Sequence, residues 1–182
     1  MLDQTVTLTP HADTRGGVVR NIVARVSKRQ DALLTVAYVI EADIDRLRIA
    51  PPQSPVFSHQ LWQHTCCEIF ITRAGHPAYH EFNFAPSGAW AAYAFARYRE
   101  REPLAHEALE PRIAVRAARD RLELDAVIQL DRLSPLHAGA KLALALAVVI
   151  EDQDGFLSYW ALAHPAGAPD FHHPLAFALE LE

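Results

Sequence analysis

The sequence is poor in cysteine and in basic charge, and it has no long hydrophobic run. Its two cysteines, Cys66 and Cys67, are adjacent. Adjacent cysteines rarely bond to each other, so a disulfide framework is excluded. Lysine and arginine number 17 against 22 acidic residues, which does not indicate the basic surface of a nucleic-acid-binding protein. The longest apolar run, Leu142 to Ile150, is too short to span a bilayer, so we expect no membrane partner.

Signals for targeting and for common cofactors are also missing. The first ten residues show no basic region followed by an apolar stretch, which is the pattern of a secretory signal peptide. Together with the unpaired cysteines, this predicts a cytoplasmic protein. The sequence contains no Gly-rich dinucleotide or flavin loop and no Gly-x-Ser-x-Gly motif. We therefore expect a binding protein without a cofactor rather than an enzyme.

The sequence contains many short segments in which apolar and polar residues alternate. In Arg121 to Leu130 the even positions are apolar and most odd positions are polar, which is typical of a half-buried strand. Leu142 to Ile150 is apolar on both faces, as expected for a central strand. About eleven such segments, separated by short Pro- or Gly-containing turns, predict an all-β fold with little helix. The expected architecture is a two-sheet β-sandwich of the jelly-roll or immunoglobulin type, forming a single domain over 1–182.

The segment from Leu61 to Thr72 carries the most informative polar residues. If it forms one strand, alternation places its odd positions mostly in the core. The other face then presents Trp62, His64, Cys66 and Glu68 in one row. This prediction requires that no bulge separates Trp62 from Glu68.

The following segment continues the same pattern. Glu81 and Asn83 alternate with phenylalanines, so pairing with the previous strand lets Glu68, Glu81 and Asn83 line one surface. Arg97 or Arg99 is the natural cation for a surface with two carboxylates. Aromatic platforms combined with carboxylate, amide and guanidinium groups suit a sugar, which stacks on an indole and hydrogen-bonds through its hydroxyls. The alternative is an edge tryptophan that caps the sandwich and a solvated Glu–Arg pair.

Three strings in the sequence resemble one known family. They are LWQHTCCEIF, YHEFNFAPSGAWAAYAFARYR and SYWALAHPAGAPDFHHPLAFALEL. They are similar to DOMON-like domains related to family 9 carbohydrate-binding modules, in particular to the bacterial MurB-like DOMON group. The resemblance extends over nearly the whole chain and implies a β-sandwich with a ligand site over one sheet.

In the sugar-binding relatives, two tryptophans clamp a sugar while Glu, Arg and Asn bind its hydroxyls. By motif, the resemblance implies that Trp62 is the first tryptophan, close to the strand residue Glu68. It offers Asn83 and Arg97 as the amide and the guanidinium. Trp160 is the second tryptophan by its late position, unless it faces the core. The implied partner is a small sugar, and the oligomeric state stays open.

Other constellations allow different functions. Some DOMON relatives bind haem through Met and His, and because the only methionine is Met1, haem would require two of the ten histidines. A weaker alternative is a metal site formed by the C-terminal cluster His164, Asp170, His172 and His173. An enzyme that uses Cys66 beside His64 and Glu68 is the least favoured alternative, compared with a small buried cysteine.

Overall fold

The structure is a computed structural model that describes residues 2–14, 17–29 and 32–182. It is mostly β, with 52% strand and 10% helix. Within these residues no helix is both long and apolar enough to cross a membrane. Met1 lies outside the described residues.

Thirteen strands form in the described part of the chain. In chain order they are β1 Leu2–Pro10, β2 Val19–Lys28, β3 Leu33–Ala42, β4 Val56–Phe57, β5 Cys66–Arg73, β6 Tyr79–Phe84, β7 Ala89–Arg97, β8 Glu100–Glu102, β9 Arg112–Ala118, β10 Arg121–Gln129, β11 Leu142–Glu151, β12 Leu157–Ala161 and β13 Leu179–Leu181. The helices are α1 Leu130–Leu133 and α2 Pro135–Ala138, with short 3₁₀ turns at Ile44–Arg46, Leu61–Gln63 and Pro174–Ala176.

Hydrogen bonds join these strands into one strongly curled mixed sheet. Its order is β4-β7-β6-β5-β11-β12-β1-β2-β3-β10-β9, with β13 on β11 and β8 on β7. The link is β1, which pairs with β2 from Leu2 to Leu8 and then with β12 through Thr9 and Pro10. β1 thereby joins one arm of the sheet, formed by β2, β3, β10 and β9, to the other arm, formed by β12, β11, β5, β6, β7 and β4. Because one strand belongs to both arms, the prediction of two separate sheets is not confirmed.

The core lies between the two arms. Alternate residues of β2, β3 and β10 point toward alternate residues of β5, β6 and β11, and together they form one buried apolar cluster. The Tyr38 hydroxyl of β3 crosses this core and donates a 2.7 Å hydrogen bond to the backbone carbonyl of Glu68 in β5. The first arm is thereby tied to the strand that carries Glu68.

Two strand predictions are confirmed in detail. β10 buries its even positions, as the alternation from Arg121 indicates. β11 is central, because β5 pairs along one edge while β12 and β13 share the other. The predicted strand from Leu61 to Thr72 is wrong in its first part, because a 3₁₀ turn precedes β5 and the strand begins at Cys66.

Candidate functional site: a cleft on the outer face of the sheet

A cleft of about 500 Å³ opens on the face of β5, β6, β7, β11 and β12 that points away from the core. Its floor includes Glu68 and Glu81. One wall is the 3₁₀ turn that carries Trp62, and the other is the loop 163–178, which contributes Phe171 and His172. The volume lies within the range of small-molecule sites.

Strand register brings the polar residues of the floor together. Glu68 of β5 lies directly opposite Asn83 of β6, and Glu81 lies two residues before Asn83 on the same face. The Asn83 side-chain amide donates a 2.8 Å hydrogen bond to Glu81 Oε1. Glu68 and Glu81 are each only 3% exposed and Asn83 is fully buried. Asn83 therefore acts on the cleft through Glu81.

The two carboxyl groups are perturbed by burial and by each other. Burial raises the pKa of Glu68 well above its ordinary value, and the neighbouring charge of Glu81 raises it further. Burial raises the pKa of Glu81 to about 7, although the Asn83 hydrogen bond and the charges of Arg101 and Arg99 act in the opposite direction. With a pKa of about 7, the carboxyl of Glu81 is partly protonated at neutral pH, and the pKa of Glu68 is displaced in the same direction.

Glu68 keeps unused hydrogen-bonding capacity at the cleft. Its Oε1 atom is buried and has no hydrogen-bond partner among the described residues. A buried polar atom of this kind costs free energy unless another group satisfies it. A ligand hydroxyl that enters the cleft can supply that partner, because the carboxyl of Glu68 both donates and accepts when protonated.

His172 covers the floor and is held there by a hydrogen bond between its ring and the Tyr79 hydroxyl. Its Nδ1 lies 2.9 Å from the Tyr79 hydroxyl, and that hydroxyl already accepts a 3.1 Å hydrogen bond from the Arg99 backbone N–H. The Tyr79 hydroxyl and Nδ1 of His172 therefore share one hydrogen bond. Nε2 faces Glu81 Oε2 at 3.7 Å. Burial, followed by the charge of Arg99, lowers the pKa of His172 to about 4, so the ring is neutral at pH 7.

The loop that carries His172 is fixed by one carboxylate. Asp170 accepts 2.8 Å hydrogen bonds from the Tyr98 hydroxyl and from the Arg99 guanidinium. It also accepts a 3.2 Å bond from the backbone N–H of His172. These bonds place Phe171 near Tyr159, with ring centroids 6.2 Å apart at the cleft.

Trp62 lies at the mouth of the cleft and is 44% exposed. Its turn is held from the side of β11, where Glu151 is within 2.7 Å of His64 Nδ1 and 2.8 Å of Arg48 Nη1. The backbone N–H of Glu151 also donates to the Thr65 hydroxyl at 3.0 Å. Trp62 and Glu68 thus meet at one site because a turn folds over the sheet, rather than because they alternate along one strand.

The structure places two of the predicted ligand residues elsewhere. Arg97 is exposed and paired with Glu100, because the β7–β8 ladder shifts register between Phe95 and Arg97. Trp160 is 7% exposed and packs in the core, where its indole N–H donates to the Ser158 hydroxyl. The residue before it, Tyr159, faces the cleft instead.

Two other arginines line the cleft, namely Arg99 and Arg101. The family resemblance implies neither of them as a ligand residue. The sequence leaves Arg99 open as the alternative to Arg97 for the cation of this surface. Alternation along β8, which sets Arg101 apart from its acidic neighbours Glu100 and Glu102, is the sequence signal that indicates Arg101.

The structure does not bring the four residues of the predicted metal site together. His164 contacts the Thr9 carbonyl, and His173 accepts the backbone N–H of Leu175. Asp170 and His172 have the contacts described above. Among the described residues no group of three or more His, Cys, Asp or Glu side chains is arranged to hold a metal ion.

The cysteine arrangement considered for catalysis does not form either. Cys66 is fully buried, and burial raises the pKa of its thiol well above the ordinary value. His64 lies outside the strand and binds Glu151 rather than Cys66. A buried thiol whose pKa is raised in this way stays protonated at neutral pH and is not an activated nucleophile.

Comparison with known proteins places the fold. No family model matches the chain, and no curated protein matches it. Among solved structures, a protein from Bacteroides uniformis ATCC 8492 proposed to bind carbohydrate superposes with a TM-score of 0.69 at 15% identity, over 96% of this chain and 83% of that one.

Two structures of a family 9 carbohydrate-binding module from Caldicellulosiruptor kristjanssonii also match. The complex with glucose gives a TM-score of 0.56 at 13% identity, over 81% of this chain and 69% of that one. The complex with cellotriose gives 0.59 at 13% identity, over 90% and 74%. The chain therefore has a fold similar to that of family 9 carbohydrate-binding modules.

Proposed function

We propose that this chain binds a small carbohydrate, without catalysis, in the cleft between Trp62 and the loop 163–178. The observation that carries the proposal is an exposed indole beside buried carboxyl groups, one of which has an unpartnered oxygen. An indole provides a flat apolar surface for the C–H face of a sugar ring. Glu68, Glu81 and His172 provide donors and acceptors for its hydroxyls. The DOMON-like relationship indicated by the sequence belongs to the same proposal.

The similar folds support the sugar as ligand. Two of the matching structures hold glucose or cellotriose, and the third is of a protein proposed to bind carbohydrate. The chemistry of the cleft agrees with this class, because burial raises the pKa of both carboxyl groups of its floor and so favours their uncharged, hydrogen-bonding form. Neutral polar groups in a partly apolar cleft suit a ligand that carries many hydroxyls and no large apolar surface.

Isothermal titration calorimetry with glucose, galactose, mannose, cellobiose and cellotriose tests the proposal. Truncation of the Trp62 side chain in Trp62→Ala should weaken binding by about 5- to 30-fold, because sugar stacking on an aromatic ring contributes roughly 1–2 kcal/mol. The control is Leu136→Ala, which shortens a side chain that is 61% exposed on α2 and lines no part of the cleft.

The expected result is saturable binding to at least one sugar, weakened in Trp62→Ala and unaffected in Leu136→Ala. An absence of heat with the whole panel would contradict binding of a neutral sugar, and equal affinity in the wild type and Trp62→Ala would contradict carbohydrate binding at this cleft. Intact circular dichroism spectra for both variants exclude unfolding as the cause of any loss.

A further inference from the structure

Arg101 presents its guanidinium to the cleft. It lies opposite Phe95 in the β7–β8 ladder, and its Cζ atom is 4.3 Å from the centroid of the Tyr93 ring. Its neighbours Glu100 and Glu102 alternate to the other face, and Glu100 pairs with Arg97. Strand alternation therefore separates the positive side chain from the acidic ones that flank it.

The charge of Arg101 is not neutralised by a contact. Arg99, the other arginine of the cleft, already pairs with Asp170 at 2.8 Å. Within the described residues, no carboxylate oxygen lies within 4.0 Å of the Arg101 guanidinium. Glu81 feels its charge only from a distance, where the charge of Arg101 lowers the pKa of the Glu81 carboxyl. A guanidinium stacked on an aromatic ring with its edge N–H groups free is arranged to bind an anion.

We propose that the natural ligand is a carbohydrate that carries an anionic substituent, a carboxylate or a phosphate, which Arg101 binds. This inference rests on the proposed carbohydrate-binding function. The sugar ring stacks against Trp62 and its hydroxyls meet the buried carboxyl groups, while the anionic substituent extends to the other side of the cleft. The planar fork of the guanidinium donates two parallel hydrogen bonds to two oxygens of either group.

Sugars that differ only in their acidic group identify the ligand class and distinguish a carboxylate from a phosphate. Glucose, glucuronate and glucose 6-phosphate, together with galactose, galacturonate and galactose 6-phosphate, are titrated into the wild-type protein by calorimetry at pH 7. We expect one acidic member to bind at least about tenfold more tightly than its neutral parent, which matches a charge-assisted hydrogen bond of roughly 1.5–3 kcal/mol. A preference for uronates indicates a carboxylate, and a preference for sugar phosphates indicates a phosphate.

The variants Arg101→Gln and Arg101→Lys assign the preference to this side chain. Arg101→Gln should reduce the acidic-to-neutral affinity ratio to near one, and Arg101→Lys should give an intermediate ratio because lysine keeps the charge but loses the fork. The ratio should also fall at 0.5 M NaCl, because salt screens an exposed charge. Arg97→Gln, at an exposed arginine that does not line the cleft, is the control and should keep the wild-type ratio.

The outcomes distinguish a failure of the anionic-ligand proposal from a failure of the proposed carbohydrate binding. Binding of neutral sugars with no preference for their acidic relatives overturns the anionic ligand and leaves carbohydrate binding in place. A preference that persists in Arg101→Gln overturns the role of Arg101. A lack of binding to every neutral and acidic sugar overturns both proposals.

Discussion

The buried carboxyl of Glu81 makes the stability of the fold depend on pH in a direction opposite to that of most acidic residues. Its pKa rises from an ordinary 4.5 to about 7 in the folded protein, chiefly through burial. The folded state therefore holds the proton more tightly than the unfolded state. The resulting stabilisation is complete below pH 4.5 and is lost as the pH rises through about 7.

The size of the effect follows from these two values. Each pKa unit corresponds to about 1.4 kcal/mol, so the interval from 4.5 to about 7 corresponds to roughly 3 kcal/mol. Most of it, about 2.5 kcal/mol, falls between pH 5 and pH 8. Glu81→Gln has no proton to lose and can still accept the Asn83 hydrogen bond. The variant should therefore gain about 2.5 kcal/mol relative to the wild type between pH 5 and pH 8.

Urea denaturation measures the prediction directly. The quantity of interest is the difference in unfolding free energy between Glu81→Gln and the wild type, at pH 5 and again at pH 8, because other titrating groups largely cancel in that difference. The exposed Glu107→Gln serves as the matched control, since Glu107 lies outside the cleft, and its difference should be flat. Removal of the Glu81 charge also lets the pKa of Glu68 fall toward its ordinary value. This change adds to the expected gain in unfolding free energy of Glu81→Gln.

A flat difference for Glu81→Gln, or one that falls with pH, would refute the reasoning. It would mean that Glu81 is ionised in the folded protein at pH 5 and that Arg99 and Arg101 outweigh its burial. The cleft floor would then be anionic, and the description of its hydrogen-bonding groups as largely neutral would be wrong.

Two further predictions concern residues that hold the site in place. Tyr38→Phe removes the buried hydrogen bond to the Glu68 carbonyl and should lower the unfolding free energy by about 1–2 kcal/mol in urea, with an unchanged value counting against this bond between the arms. The lowered pKa of His172, about 4 against an ordinary 6.5, means that its stabilisation is present above pH 6.5 and is lost as the pH falls toward 4. His172→Gln should therefore gain about 3 kcal/mol relative to the wild type between pH 7 and pH 4, and a constant difference would contradict a neutral, buried ring.

The polar floor of the cleft was predictable because it depends only on strand periodicity. Glu68, Glu81 and Asn83 lie on one face since alternation has a period of two and β5 and β6 pair without a bulge. The same argument gave the half-buried pattern of β10 and the central position of β11. These features are local, so neither the curl of the sheet nor its pairing order is needed to obtain them.

The walls of the cleft were not predictable in the same way. Trp62 lies in a turn held by Glu151, which is 87 residues from His64 in the chain, so no local pattern positions it. Trp160 and Tyr159 differ by one position, and that one position exchanges the core face for the cleft face. The prediction that Arg97 contributes the guanidinium of the cleft is wrong because the β7–β8 pairing shifts register before Arg97, and periodicity alone does not reveal such a shift.

Burial displaces the pKa values of Glu81 and His172 in opposite directions. Burial raises the pKa of an acid and lowers that of a base, so both groups lose their charge when they are covered. Between about pH 5 and pH 6, which lies between these two pKa values, Glu81 and His172 are therefore both mostly uncharged, while Arg101 at the edge carries a full charge. A site with a neutral hydrogen-bonding interior and one charged edge distinguishes ligands by their substituent at that edge. For this reason, comparison of neutral and acidic sugars on one scaffold is the most informative measurement on this protein.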